Sequence, residues 1–272
     1  MIEIDVSHHE SLIKLHSGSN TKTIKLCHPP GTFAITPASK TLIQAIIYNN
    51  ELLSGIGIDW GSGIGCLAVI AAKTAKIKKV YGLEISKADV DISIKNAFIN
   101  GISDKTWFML SDSYSPFSQN DKSTLEALKG DVDFILANPP SSEGDDGFGF
   151  RREVLRGAGK FLKKGGKVLL NISFQYGFKR IENLLNEVSG FTYKGVLYST
   201  DWVPFDLRRP NLLKCIELYC QEEERGGHEY TFRIPGKSES ELVNARVAFD
   251  YFKMTGESPL TKWQTHLYTY EP

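Results

Sequence analysis

The chain has 272 residues and a mass of 30.4 kDa, enough for about two units at roughly 150 residues each, or for one large domain with an appendage. Hydrophobic residues make up 41% and charged residues 24%, an ordinary globular balance that excludes wholesale disorder, a collagen-like chain and a disulfide-stapled miniprotein. The 32 Lys+Arg cancel the 32 Asp+Glu, so overall charge predicts binding to neither nucleic acid nor an anionic membrane, and only a local patch could provide it.

No apolar run approaches the ~18 residues of a membrane span. The start, M-I-E-I-D-V-S-H-H-E, lacks the basic end and apolar core of a signal peptide, so a cytoplasmic protein is expected. Cys27, Cys66, Cys215 and Cys220 are scattered without zinc spacing and read as reduced, mostly buried thiols. His8 and His9 would point to opposite faces of a strand, and no metal site is expected.

Residues 1–30 read as an irregular or β-rich lead-in. Within them T-K-T-I-K-L-C has the alternation of a half-buried strand, and H-P-P-G ends it in a turn. T-L-I-Q-A-I-I follows as a helix with Leu42, Ile43, Ile46 and Ile47 on one face and Ser39 or Thr41 as N-cap. From residue 56 strands and helices alternate: I-G-I-D, the helix C-L-A-V-I-A-A-K-T-A, V-Y-G-L-E, a helix opened by S-K-A-D in a capping-box pattern and stopped at Asn100-Gly101, then W-F-M-L and V-D-F-I-L-A. A helix near 151–164 carries Val154, Leu155, Ala158, Phe161 and Leu162 on one face and stops at K-K-G-G; K-V-L-L-N-I-S is a fifth strand and 178–188 another amphipathic helix. Y-K-G-V-L-Y and L-K-C-I-E-L-Y-C then read as a closing antiparallel pair. The order predicts a doubly wound, mostly parallel α/β sheet, with 1–40 as lead-in, 41–220 as the main domain and 221–272 as an appendage. In that appendage Q-E-E-E-R-G-G-H-E is a linker, and Leu242, Ala245, Ala248 and Phe249 form a helical stripe.

Chemistry concentrates at the carboxyl ends of the strands, where open α/β sheets bind ligands. D-W-G-S-G-I-G at 59–65 joins a strand to a helix. Gly61, Gly63 and Gly65 allow a tight turn and close approach of backbone N–H groups. Glu84 ends the next strand, 25 residues after Asp59, where an acid can bond ribose hydroxyls; Asp112 follows the third strand. In the dinucleotide fingerprint G-x-G-x-x-G the last glycine stands one place later than Gly65, where this chain has Cys66. An acid two residues before Gly61 repels pyrophosphate but accepts from an ammonium group, which favours an amino-acid nucleoside over NAD. The second motif is N-P-P-S at 138–141, directly after the fourth strand. Two prolines fix an extended backbone. The Asn138 amide oxygen and the Asn138 and Pro139 carbonyls then form an acceptor set for an NH2 donor, which orients its lone pair without a strong base.

Together D-W-G-S-G-I-G, Glu84, Asp112 and N-P-P-S resemble the class I S-adenosylmethionine-dependent methyltransferases, in particular the amino-methyltransferases with an (Asn/Asp/Ser)-Pro-Pro-aromatic motif. The resemblance covers about residues 30–220, and P-G-T-F-A-I-T-P-A-S-K-T-L is similar to the lead-in of the small "MTS" subgroup. It implies a seven-stranded Rossmann-like methyltransferase sheet with an antiparallel closing strand and terminal appendages. By position it implies that Asp59, Gly61, Gly63 and Gly65 hold the methionine part of S-adenosyl-L-methionine, Glu84 the ribose, Ile85 the adenine face and Asp112 the adenine N6. Asn138 and Pro139 would hold the target amine, with Pro140 and Ser141 completing the motif. Where the motif usually carries a ring that stacks on a planar target, this chain has Ser141; Phe148 and Phe150 are candidate substitutes. Arg151, Arg152, Arg156, Lys160, Lys163 and Lys164, with Arg208 and Arg209, read as a basic rim able to track phosphates, opposed by Asp145 and Asp146. The resulting expectation is N-methylation of a nucleic-acid base (rRNA or tRNA) or a protein side-chain amide. A small-molecule methyltransferase, an inactive methyltransferase-like binding subunit and, less favoured by the glycine spacing, an NAD-dependent oxidoreductase are the alternatives; the oligomeric state is open.

Overall fold

The computed structural model describes all residues other than Met1, His8, Gly18, Ser19, Phe33, Ala34, Gly144 and Glu239, together with the side chains of all these described residues except Ser17 and Asn20. Polar–apolar alternation at the start of the chain produces three antiparallel strands in sequential order, β1 (Ile2–Val6), β2 (Glu10–Ser17) and β3 (Asn20–Cys27). Their buried face, Ile13, Ile24 and Leu26, joins one hydrophobic cluster with helices α1 (Pro37–Tyr48) and α2 (Cys66–Thr74). The free edge of β3 is closed by two asparagines one turn apart on α3 (Lys87–Ile99) and its C-cap. Cys27 N donates to Asn96 Oδ1 (2.8 Å) and Asn96 Nδ2 returns a bond to Cys27 O (3.0 Å); Asn100 does the same for Lys25 (3.2 and 2.7 Å). The two carboxamides thus take the place of a neighbouring strand. His8, one half of the histidine pair, lies outside the described residues.

The central sheet runs β10 (Phe191–Ser199), β15 (Gln264–Tyr270), β9 (Leu162–Asn171), β8 (Val132–Ala137), β4 (Ser54–Trp60), β5 (Lys76–Glu84) and β6 (Thr106–Asp112), with the two-residue β7 (Ser115–Pro116) on β6. The ladders from β9 to β6 are parallel, and β15 is antiparallel to both neighbours. Strand β8 is covered on both faces, Ile135 and Ala137 packing into one hydrophobic cluster and Phe134 and Leu136 into the other, which is why it reads as a mostly apolar run. Flanking helices are α4 (Gln119–Glu126), α5 (Gly149–Phe161) and α6 (Gly177–Glu187) in addition to α1, α2 and α3. A small sheet packs at the carboxyl end: β11 (Val203–Pro204), β14 (Leu260–Thr261), β12 (Phe232–Arg233) and β13 (Leu242–Val243), with helices α7 (Pro210–Glu224) and α8 (Ala245–Thr255). This is a Rossmann-like α/β fold with an antiparallel closing strand, as the strand–helix order predicts.

Several local readings change. The N-cap of α1 is Thr36, not Ser39 or Thr41: its hydroxyl accepts from Ser39 N (3.1 Å), Ser39 completes the capping box, and Pro37 opens the helix. K-K-G-G does not end a helix but forms an irregularity inside β9, where Gly165 is left-handed (φ 79°), and Leu162 belongs to that strand. L-K-C-I-E-L-Y-C is part of α7, not a strand. Its short apolar run fits either period, but Pro210 at the first turn and the stripe Leu212, Cys215, Ile216, Tyr219 favour the helix, with Ile216 and Tyr219 buried. Strand β10 therefore pairs with β15, near the end of the chain, and the central sheet extends past residue 220 into the tail. Q-E-E-E continues α7 rather than forming a linker, and Leu242 is 43% exposed outside the α8 stripe.

Candidate active site

The glycine loop follows from the residues themselves. Gly61, Gly63 and Gly65 all have left-handed backbones (φ 63°, 52° and 76°), which other residues adopt at a cost of about 1–2 kcal/mol. A Cβ at Gly65 would lie 2.8 Å from both the Phe108 ring and Ser93 Cβ, whereas one at Gly61 would meet open space. Glu84, at the end of β5, accepts from Gly63 N (2.7 Å) and Ser86 N (2.8 Å), so one carboxylate ties the loop to the next βα turn. A cavity of about 390 Å³ opens there, lined by Gly61, Gly63, Glu84, Ile85, Asp112 and Asn138, with Trp60, Asp89, Ser113 and Phe150 among its other walls. Ile85 is 63% exposed, free to cover a planar group. Trp60 Nε1 donates to Ser113 Oγ (2.9 Å), fixing the wall between β4 and the turn after β6.

Asp59 and Gly65 stand behind this wall rather than on it. Asp59 is fully buried, its Oδ2 accepts from Ala68 N (2.9 Å), and its Oδ1 has no partner. Burial, opposed by the Ala68 bond and reinforced by Glu84, pushes its carboxyl up to about 8. Of the three acids at the ends of β4, β5 and β6, Glu84 and Asp112 line the cavity as acceptors, and they suit the ribose hydroxyls and amino group of S-adenosylmethionine better than a pyrophosphate; Asp59 supports the glycine loop from behind.

N-P-P-S separates this cavity from a second one of about 220 Å³, which shares Asn138 and Pro140 with the first and is also lined by Pro139, Ser141, Asn171, Gln175, Tyr176, Phe205, Arg209, Tyr219 and Trp263. A polar chain holds Asn138 from behind. Thr265 Oγ1 donates to Asn171 Oδ1 (2.6 Å), Asn171 Nδ2 to Asn138 Oδ1 (2.8 Å), and Asn138 Nδ2 to Ser39 Oγ (3.2 Å). A carbonyl oxygen has two lone pairs, so Asn138 Oδ1 keeps one. Gln175 is 2% exposed; its Oε1 accepts from Thr261 (2.7 Å), while its amide nitrogen makes no hydrogen bond among the described residues.

Arg151 is not part of a basic rim. It is 4% exposed and donates to the carbonyls of Asn171 (3.1 Å), Gly147 (3.0 Å), Pro140 (3.2 Å) and Pro139 (3.4 Å), lying against the Phe148 and Tyr176 rings. Carbonyl oxygens from three segments converge there, and a guanidinium is the side chain with enough donors to satisfy them. Arg152 is engaged by Asp146 and Glu187, and Lys163 by Asp133. Arg156 and Lys160 are exposed. Of the two substitute rings, Phe148 is fully buried against Tyr176, and Phe150 faces the first cavity beside Trp60 (6.3 Å between centroids). Neither lines the cavity beyond N-P-P-S, where Ser141 only donates weakly to Ser142 O (3.4 Å). Sequence reading missed Asn171, Gln175 and Trp263; a polar Asn inside K-V-L-L-N-I-S was the one local signal. Among the described residues no cluster of three His, Cys, Asp or Glu is placed to hold a metal, and no helix is long and apolar enough to cross a membrane.

The model of the methyltransferase small domain (MTS) family matches residues 23–195. The release factor glutamine methyltransferase of Thermodesulfovibrio yellowstonii is 24% identical over 183 residues, 62% of this chain and 64% of that protein. The ribosomal RNA small subunit methyltransferase C of Proteus mirabilis is 24% identical over 165 residues, 59% of this chain and 43% of that one. The chain thus spans less than two thirds of the length of these curated relatives. A methyltransferase from Pyrococcus furiosus superimposes with a TM-score of 0.52 at 16% identity, over 90% of this chain and 87% of its own. The T. thermophilus 16S rRNA N2 G1207 methyltransferase in complex with AdoMet and guanosine gives 0.50 at 23% identity, over 70% of this chain and 48% of its own. At these identities the structural likeness is one of fold.

Proposed function

The chain belongs to the methyltransferase small domain family, and from that premise we propose that it transfers the methyl group of S-adenosylmethionine to an amine or amide nitrogen, that of a nucleic-acid base (rRNA or tRNA) or of a protein side chain. The observation that carries this reading is the meeting of two cavities at Asn138 and Pro140. One has the glycine cradle and acids suited to the cofactor; the other is small, ring-lined and polar at its inner end.

When bound, S-adenosylmethionine supplies an electrophilic methyl group. The chain's own residues then orient the acceptor. The free lone pair of Asn138 Oδ1 and the Pro139 carbonyl hold the two N–H bonds of the target NH2, leaving its nitrogen lone pair turned toward the first cavity. Gln175 supplies a donor to a carbonyl or ring acceptor beside that nitrogen. Thr265, Asn171 and Ser39 position the Asn138 amide, and Arg151 fixes the shape of the N-P-P-S backbone. Catalysis of this kind is orientation and electrostatic preorganisation rather than proton abstraction by a strong base.

The direct test is calorimetric binding of S-adenosylmethionine and NADH, followed by transfer of labelled methyl from S-adenosylmethionine to total RNA, ribosomes and a protein extract. S-adenosylmethionine should bind, Glu84→Ala should weaken it by roughly 1.5–3 kcal/mol through loss of a charge-assisted bond, and label should appear in the RNA or protein fraction. Binding of NADH alone would overturn the assignment.

A further inference from the structure

The small cavity beyond N-P-P-S borders a wider groove of about 580 Å³, and the two share Pro37, Arg209, Leu212 and Trp263 as lining residues. Every shared residue except Pro37 lies outside the matched family segment 23–195. A space of about 220 Å³ is below the ~300–1,000 Å³ of pockets that enclose a whole drug-sized ligand; it admits one side chain or one base, with the rest of the molecule in the groove.

The rings of the inner cavity form a connected wall. Trp263 approaches Phe205 (6.1 Å between centroids), Phe205 approaches Tyr219 (6.3 Å), and Tyr219 approaches Tyr176 (5.9 Å). Phe205, Tyr219 and Tyr176 are buried, whereas Trp263 is half-buried and lines both spaces. Arg208 and Arg209 lie in the groove, and neither guanidinium makes an ion pair or side-chain hydrogen bond among the described residues; Arg209 is half-buried and reaches both spaces. The groove also holds two acids, Asp206, which accepts from Arg208 N (3.3 Å), and Glu257, which accepts from the Tyr251 hydroxyl (2.5 Å), whose charges oppose those of the arginines. A glutamine side chain needs neither a stacking ring nor an anion site.

Resting on the proposed acceptor role of this cavity, we propose that it reads a nucleotide: the base lies against Trp263, which takes over the stacking absent at Ser141, and the phosphate is held by Arg209. Substrate choice would then come from the C-terminal part of the chain, with the N-P-P-S machinery common to either kind of acceptor.

Binding tests this without turnover. The protein is titrated with adenosine, guanosine and cytidine 5′-monophosphates, with the matching nucleosides, and with uridine 5′-monophosphate, which carries no exocyclic amine. N-acetyl-glycyl-glutaminyl-glycinamide is the peptide arm. At least one amino-bearing nucleotide should bind more tightly than its nucleoside, than the uridine compound and than the peptide. Trp263→Ala should weaken nucleotide and nucleoside alike by about 5- to 150-fold, and Trp263→Phe should restore most of the loss. Arg209→Gln should weaken the nucleotide and erase its advantage over the nucleoside. S-adenosylmethionine affinity, unchanged in all three variants, reports that they fold. Tighter binding of the peptide, no nucleotide binding, or an unaltered nucleotide affinity in Trp263→Ala would overturn the proposal. Failure to bind S-adenosylmethionine in the wild type would instead strike the proposed function.

Discussion

Asp59 shows how a single buried group behind the glycine loop ties stability to pH. Its carboxyl keeps its proton to about pH 8 because ionisation inside the wall would leave a charge with one backbone N–H and the nearby Glu84. The unfolded chain releases that proton near the ordinary value, so between about 4 and 8 the folded state binds more protons than the unfolded state. Stability contributed by the neutral carboxyl is therefore full below about pH 4 and declines as pH rises through about 8. Asp59→Asn keeps an acceptor for Ala68 N and cannot ionise. Thermal unfolding measured from pH 5 to pH 9 should show the variant gaining on the wild type by on the order of a few kcal/mol. A constant difference across that range would place the proton elsewhere. Glu84 differs in kind, since both of its oxygens already organise the loop.

At the scale of elements, β15 is the piece that joins the tail to the site. Thr265 begins the polar chain to Asn138, and the next residue, His266, locks β15 to the turn after β9. Its Nε2 donates to Ile172 O (2.8 Å), and its Nδ1 accepts from the Tyr193 hydroxyl (2.9 Å) on β10. Burial pushes this imidazole down to about 4 despite the Ile172 bond, with Arg151 adding to the shift. The sign is opposite to that of Asp59: between about 6.5 and 4 the unfolded chain takes up a proton that the folded one refuses. The stabilisation is present above the ordinary histidine range and is lost as pH falls toward the folded value, by up to roughly 3 kcal/mol. His266→Gln should flatten the acid limb of stability measured between pH 7 and 4, and an unchanged acid limb would contradict a neutral buried His266. The helix α5 acts on the same region from the other side, presenting Arg151 to the N-P-P-S carbonyls while Arg152 engages Asp146 and Glu187. A basic helix in sequence has become a clamp, with Arg156 and Lys160 left as its exposed cations.

Across the whole molecule, what could be read from sequence is what local chemistry dictates. The glycine loop, the acids at strand ends and N-P-P-S each announce themselves within a few residues, because tight turns and rigid prolines need particular residue types at fixed spacing. The partner of β10 could not be read that way: it is some seventy positions distant and competes with an apolar run in α7 that suits helix and strand equally. Nor could Arg151 be told from a surface arginine, since its carbonyl partners are brought together only by the fold. Asn171 and Gln175, at the end of β9 and in the turn after it, meet Trp263 from some ninety positions away on one cavity. The expectation of a stacking Phe148 failed for the complementary reason: its ring fills the core between α5 and Tyr176.

The central claim is that the Asn138 amide orients the methyl acceptor, and single-turnover methyl transfer with parallel cofactor binding tests it most directly. The acceptor is the RNA or protein fraction labelled by the wild type. Deleting one preorganised polar group of this kind typically costs about 10²–10³ in turnover. Asn138→Ala should lose that much while its affinity for S-adenosylmethionine changes little. Asn138→Asp should retain part of the activity because a carboxylate also accepts from NH2, and Ser141→Ala should lose less than either. Wild-type turnover in Asn138→Ala, or an equal loss of cofactor binding, would contradict the account.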